Sequence, residues 1–291
     1  MKMTSKFLST ANKLTRATFL FTIVITVSAI IVSCGKGETQ EAEDVLHIQA
    51  SLNCLPDNLQ DGLLAFYPFD NGSLLDHSGN GHDLMNTTTA MVTPDRSNNT
   101  LCAYEFIKAN NEFLTQADPQ FLNSLTQLTI SLWYNSSALG DPSSFESILS
   151  RGTGAHCPDT YGEWSIGIYD CRRPVFGYAN NRYWEEAYFE EISQTEGINT
   201  CADYAAIMNE VWHHLVVTYD NGTYQMWLDG ILTDYVPDLG ICFDPQVMED
   251  LGDFFIGHSF GGKVDDVAIY DHTLEATEID ELRNLEACCG E

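Results

Sequence analysis

From residue 62 to residue 270 the chain is cut into short apolar runs by turn dipeptides, a pattern that leaves few folds open. Leu63-Leu64-Ala65-Phe66-Tyr67-Pro68-Phe69 closes on Asp70-Asn71-Gly72, and residues 211–219 close on Asp220-Asn221-Gly222. Tyr224-Gln225-Met226-Trp227-Leu228 reaches Asp229-Gly230 before Ile231-Leu232-Thr233 resumes. Asn-Gly and Asp-Gly favour the left-handed backbone of tight turns, so the latter two sites predict consecutive hairpins. Residues 128–134, 164–169, 174–178, 254–257 and 264–270 are further β-rich runs. Strands this short, with turns at roughly 8–12-residue spacing, predict an antiparallel sandwich or barrel. One helix is expected, at the end, where Leu274, Ile279, Leu282 and Leu285 line one face and Glu278, Asp280, Glu281 and Arg283 the other. Residues 151–210 exceed what a hairpin needs and predict elaborated loops.

The first 33 residues read as a leader. Lys2, Lys6, Lys13 and Arg16 precede an uncharged run at 19–32, which falls short of the ~20 apolar residues of a membrane span. The run ends Ile31-Val32-Ser33-Cys34-Gly35, which resembles a bacterial lipobox and implies cleavage before Cys34 and acylation of its thiol. An ordinary signal peptide is the alternative. Residues 34–60 then form a lipidated cysteine and an acidic tether, and residues 61–291 one domain. Acidic residues soon after the cysteine resemble the surface-export signal of Bacteroidetes lipoproteins; a plain periplasmic spacer is the other reading. The expected location is the outer membrane of a Gram-negative bacterium, with membrane contact through the lipid alone.

Charge narrows the partners. Thirteen Lys and Arg stand against 42 Asp and Glu, a formal charge of −29, so little basic surface is available to neutralise phosphates and no nucleic-acid partner is expected. With Cys34 lipidated, Cys54, Cys102, Cys157, Cys171, Cys201, Cys242, Cys288 and Cys289 remain, an even number that in an exported protein favours disulfides. Local closeness suggests Cys157 with Cys171 and Cys201 with Cys242, leaving Cys54 and Cys102 for Cys288 and Cys289.

Gly62-Leu63-Leu64-Ala65-Phe66-Tyr67-Pro68-Phe69-Asp70, followed by Leu75-Asp76-His77-Ser78-Gly79-Asn80-Gly81-His82, resembles the opening of bacterial laminin-G-like domains, which belong to the concanavalin A-like lectin/glucanase jelly rolls. The Leu128-Thr129-Ile130-Ser131-Leu132-Trp133 run, residues 211–220, Met226-Trp227-Leu228-Asp229-Gly230 and residues 262–270 fit the same family in order. The resemblance covers about residues 60–285 and implies an all-β, antiparallel jelly-roll β-sandwich with a short C-terminal helix. One departure is Glu275 where the family places Ser or Thr at the helix N-cap; Thr273 is the expected substitute.

Asp70, Asp76, Ser78, Gly79 and Asn80 crowd an oxygen-rich loop of the kind that can ligate Ca²⁺. The resembled family places a structural calcium between this loop and an aspartate of the last strand, here Asp265 or Asp266. Strand alternation turns only one of those two inward, and both faces are partly apolar, so the choice stays open. An acidic Asx-turn without metal is the alternative.

For a ligand, Tyr183 and Trp184 beside Asn180, Asn181 and Arg182 are expected in a loop that binds glycan, while Trp164, Tyr169 and Tyr178 are expected in the core. His213 and His214 are strand neighbours that point to opposite faces and cannot easily share a metal. Glu278-Ile279-Asp280-Glu281 superficially resembles the catalytic strand of laminarinase-type hydrolases, but it lies in the helix and its last glutamate comes one position early. No enzymatic activity is therefore expected. The favoured function is binding of extracellular glycan by an envelope lipoprotein, with protein adhesion or scaffolding as the alternative and a divergent glycosidase as the third.

Overall fold

The computed structural model describes residues 55–138, 144–152, 163–179, 184–188, 200–232, 236–242 and 252–287. The expected leader, Cys34 and most of the tether lie outside the described residues.

Two antiparallel sheets face each other. The first runs β12 (Ile231–Leu232), β11 (Thr223–Leu228), β10 (Trp212–Asp220), β5 (Gln127–Ser136), β15 (Gly262–Tyr270), β3 (Ala103–Phe106) and β2 (Met91–Thr93). An eighth strand, β1 (Leu63–Tyr67), also pairs with β15. The second runs β13 (Val236–Cys242), β9 (Trp184–Tyr188), β8 (Arg173–Ala179), β7 (Trp164–Tyr169), β6 (Glu146–Arg151), β14 (Phe254–Ile256) and β4 (Leu114–Gln116). This is the all-β sandwich that the strand and turn pattern predicts.

The two expected hairpin turns form. Asn221 and Gly222 join β10 to β11 with φ of 48° and 93°, and Asp229 and Gly230 join β11 to β12 with 51° and 83°. Both central residues of each turn are left-handed, which matches the twist of the flanking strands.

Period-two patterning builds two cores. Leu128, Ile130, Leu132 and Tyr134 of β5, Leu215 and Val217 of β10, and Val267 and Ile269 of β15 point between the sheets. There they meet Ile148, Ile166, Phe176 and Phe254 of the second sheet. The alternate residues Phe66, Val216, Ala268 and Tyr270 point outward and would expose apolar surface. The C-terminal helix α2 (Ala276–Asn284) covers them with Ile279 and Leu282, and Leu55 and Leu59 join from the N-terminal side. Thr129 ties down the approach to this helix, its hydroxyl donating to the His272 carbonyl and accepting from the Leu274 N–H. The helix begins after Glu275 rather than at Thr273, because the Glu278 carboxylate accepts the Glu275 N–H at 2.8 Å and so satisfies an otherwise orphaned donor.

Two expectations are corrected here. Cys171 bonds Cys201, not Cys157, and Cys201 is therefore not bonded to Cys242. The reason is α1 (Cys201–Met208), a helix that the sequence reading lacks and that brings Cys201 to the β7–β8 turn. Cys102 is also disulfide-bonded. Cys54, Cys157, Cys288 and Cys289 lie outside the described residues, and of Cys242 only the backbone is described. The second correction concerns Trp184, which opens strand β9 and pairs with Ala179 and Cys242 instead of lying in a loop.

Truncating Ile279 to alanine should cost about 2–4 kcal/mol, since this fully buried side chain holds α2 to the sheet. Urea denaturation of the wild type and variant checks this through a lower midpoint at unchanged slope.

Candidate functional site

The oxygen-rich loop serves the edge of β1. One side of that strand pairs with β15; the other faces residues 76–80. Asp76 Oδ1 accepts the N–H groups of Phe66 and Ser78, and its Oδ2 accepts the Ser78 hydroxyl and the His82 N–H. The His77 N–H returns a bond to the Phe66 carbonyl, and the Asn80 amide donates to the carbonyls of Leu63 and Leu64. An exposed strand edge is thus closed by a loop that mimics a partner strand. Asp70 accepts from the Asn71 amide, and Gly79 supplies a φ of 86°.

Asp265 and Asp266 also depart from simple alternation. β15 pairs with β3 over Gly262–Val264 and with β1 over Val267–Tyr270, and its register against β5 shifts between Asp265 and Ala268. Asp266 takes a φ of 43° in this bulge. Both carboxylates consequently reach one nitrogen, Arg96 Nη1, at 3.0 and 2.5 Å. The same guanidinium lies 4.5 Å over the Trp133 ring and donates through Nη2 to the Leu285 carbonyl at the end of α2. Burial, then the neighbouring Asp266, pushes the Asp265 carboxyl up, with Arg96 opposing.

Of the calcium ligand set expected from Asp70, Asp76, Gly79, Asn80, Asp265 and Asp266, three carboxylates have partners within the chain. The lone pairs of Asp76 are directed at N–H and O–H donors, and the aspartates of β15 already face a cation of the chain's own. Among the described residues, the one set of three His, Cys or acidic ligand atoms within 4.8 Å of one another is Asp170, Cys171 and Cys201, whose two sulfurs are bonded together.

The histidines behave as strand neighbours. His213 Nδ1 meets Asp229 Oδ2 at 2.8 Å, while His214 Nε2 meets the Ser131 hydroxyl at 2.9 Å on the helix-covered face. Burial first, then Arg96, lowers the His214 pKa to about 3, so its ring stays neutral. Two carboxylates of α2 have protein partners: Asp280 pairs with Arg283 in the same helix, and Glu281 accepts from Asn58 near the N-terminal end of the domain.

Aromatic residues gather at one end of the sandwich. The start of β7, the end of β8 and the start of β9 share that end, since Trp164 pairs with Tyr178 and Ala179 with Trp184. Tyr178 and Tyr219 bridge the two sheets there, their hydroxyls 3.0 Å apart and ring centroids at 4.8 Å. With Leu125, Phe176 and Trp164 they line a pocket whose charged wall is Glu163. Arg151 Nη1 holds Glu163 Oε2 at 2.7 Å, and Arg151 Nη2 donates to Asn123. Burial raises the Glu163 pKa against the opposing pull of Arg151. Trp164 is buried as expected, whereas Tyr169, at the opposite end of β7, does not join this group. Asn180, Asn181, Arg182 and Tyr183 lie outside the described residues, and of Trp184 the backbone alone is described. Arg96, Arg151 and Glu163 are absent from the sequence reading. The adjacent Asp265-Asp266 pair, which needs a cation if buried, is the one signal that could have pointed to an arginine partner.

The laminin-G-like family model, described as the concanavalin A-like lectin/glucanases superfamily, matches residues 108–280. Among solved structures, the binding domain of Paraclostridial mosquitocidal protein 1 superposes with a TM-score of 0.57 at 16% identity, over 78% of this chain and 52% of that one. The binding domain of botulinum neurotoxin DC, solved in complex with rat synaptotagmin II, gives 0.55 at 15% identity with the same coverage. The receptor binding domain of botulinum neurotoxin mosaic serotype C/D gives 0.55 at 12%, over 77% of this chain and 51% of that one. The chain spans about half the length of these structures, and at such identities the likeness is one of fold. No curated protein matches the sequence.

Replacing Arg96 with methionine strands two buried carboxylates and should destabilise the protein by about 3–5 kcal/mol. Adding Asp265→Asn and Asp266→Asn to that variant should recover much of the loss, read from the urea midpoints of the single and triple variants.

Proposed function

The chain belongs to the concanavalin A-like lectin/glucanase superfamily, and on that premise we propose that it is a binding domain whose ligand is an extracellular glycan. The observation that supports this reading is the Tyr178–Tyr219 pair at one end of the sandwich, the end where Trp184 opens β9. The β8–β9 connection at that end reads Asn180-Asn181-Arg182-Tyr183. Aromatic faces stack on the apolar faces of sugar rings, and amide and guanidinium groups satisfy hydroxyls. A non-enzymatic role is supported by the carboxylates. A glycosidase sets two of them about 5–10 Å apart across a substrate cleft, whereas Asp280 pairs with Arg283 of its own helix, Glu281 accepts from Asn58, and the aspartates of β15 lie beneath α2. A protein partner is the second reading, favoured by the likeness to a toxin binding domain solved in complex with synaptotagmin II.

An array of immobilised glycans probed with the purified protein tests the first reading. Binding should persist in chelator, because the acidic loop and the β15 aspartates are satisfied by donors of the chain itself. Trp184→Ala should weaken binding about tenfold. Silence of the wild type across the whole array would move the assignment to a protein partner.

The envelope setting rests on the Ile31-Val32-Ser33-Cys34 motif and on the acidic segment that follows it. We propose an outer-membrane lipoprotein acylated at Cys34. Cys34→Ala should shift the protein from the membrane to the soluble fraction of a Gram-negative host and abolish labelling by a palmitate analogue; unchanged partition would overturn the anchor.

A further inference from the structure

The β7–β8 turn is bent further than a hairpin requires. Tyr169 pairs with Arg173, which leaves Asp170, Cys171 and Arg172 as a three-residue loop. Such loops ordinarily close with a type I turn followed by one left-handed residue. Here all three are left-handed, with φ of 40°, 73° and 66°, and none is glycine. L-residues resist that conformation because Cβ crowds the following carbonyl oxygen, so something outside the hairpin must hold the first two. The bend drives Arg172 inward until it is 1% exposed and its Nη1 meets Glu146 Oε1. The seat is a poor one. Nε and Nη2 of Arg172 are buried with no hydrogen-bond partner among the described residues. Burying an arginine with unmet donors destabilises. Glu146 does not depend on it either, since Lys108 Nζ lies 3.5 Å from the same oxygen and Oε2 accepts the Gly261 N–H.

The holding element is the Cys171–Cys201 disulfide. Cys201 opens α1, whose far end is fixed to the first sheet. Met208 is buried in the core, its carbonyl accepts from the Ser136 hydroxyl, and the Glu210 N–H donates to the Ser136 carbonyl. A turn of one sheet is thereby tied, through a helix, to a strand of the other. Asp170 also pairs with Arg173, but that contact lies within the hairpin and its carboxylate is exposed. Both cysteines are half-buried, within reach of a small thiol.

We propose that this disulfide is a redox-operated latch that keeps Arg172 between the sheets. A dithiol opens it by exchange: one thiolate attacks a sulfur of the pair, the S–S bond breaks, and the second thiolate closes the reductant into its own disulfide. Two electrons pass to the sulfurs of Cys171 and Cys201, which take up two protons and become thiols. With α1 released, the turn relaxes to the ordinary three-residue form and Arg172 swings out, leaving Glu146 with Lys108. The reduced protein then presents Arg172 and Arg173 side by side to solvent, at the end of the sandwich opposite the Tyr178–Tyr219 pair.

Limited proteolysis of the whole protein with trypsin tests the latch. Within this turn the bond after Arg172 is the one substrate, because Arg173 precedes Pro174 and a bond to proline resists the enzyme. The oxidised wild type is compared with Cys171→Ser/Cys201→Ser, in which the remaining disulfides stay oxidised, and fragments are assigned by mass. Cleavage after Arg172 should be about tenfold faster in the variant, while its melting temperature shows that it is folded. Cleavage after Arg96, whose side chain is also buried, should not change. Equal cleavage after Arg172 in the wild type and the folded variant would overturn the proposal. So would a rise of the same size after Arg96, which marks general loosening instead of a local latch. Should the variant fail to fold, the wild type treated with a dithiol replaces it. Alkylation of both Cys171 and Cys201 then proves that the bond is open, and unchanged cleavage after Arg172 in that sample overturns the latch.

Discussion

One guanidinium holds the first sheet to its outer layer. β15 changes partner in mid-strand, from β3 to β1, and the bulge that permits the change turns two acidic side chains toward the same buried place. Two carboxylates could not be buried there against each other alone; the cost of desolvating like charges would exceed what packing returns. Arg96, delivered by the β2–β3 connection, meets both and also reaches the Trp133 ring and the last carbonyl of the helix layer. Sheet continuity, helix docking and the placement of the β2–β3 loop thereby depend on one side chain.

This arrangement divides the molecule by task. Polar groups on the helix-covered side are consumed by structure: Thr129, Ser131 and His214 bond within the protein, as do Arg96 and its two aspartates. The acidic loop after β1 is spent on a strand edge. At the end of the sandwich where β7, β8 and β9 begin or finish, the Tyr178–Tyr219 pair bridges the two sheets beside the Arg151–Glu163 ion pair.

How far this was legible from residues depends on what each residue had to signal. Strands rich in aromatic and β-branched side chains, such as β5, β7, β10 and β15, and the two glycine-bearing hairpin turns, carry their structure in local pattern. β6 does not. Glu-Ser-Ile-Leu-Ser-Arg reads as polar, yet all six residues are buried, because Glu146 and Arg151 find Arg172 and Glu163 in other elements. Long-range ion pairs of that kind leave no local periodicity. The calcium expectation turns on a related point: an oxygen-rich loop looks the same in sequence whether its lone pairs point at a cation or at neighbouring N–H groups. The question between Asp265 and Asp266 assumed strict alternation, which a single left-handed residue cancels. Cys171 and Cys201 pair over 30 residues because α1 folds back, which spacing cannot reveal.

The outer hydrophobic cluster contains Leu55 and Leu59 from the start of the described chain and Ile279 and Leu282 from its end. A mechanical load arriving through the polypeptide upstream of Leu55 therefore meets side-chain packing against α2 before it meets the backbone bonds of β1. Force would shear a layer first and unzip the sheet afterwards, so the helix layer acts as a shock absorber for the sandwich beneath it.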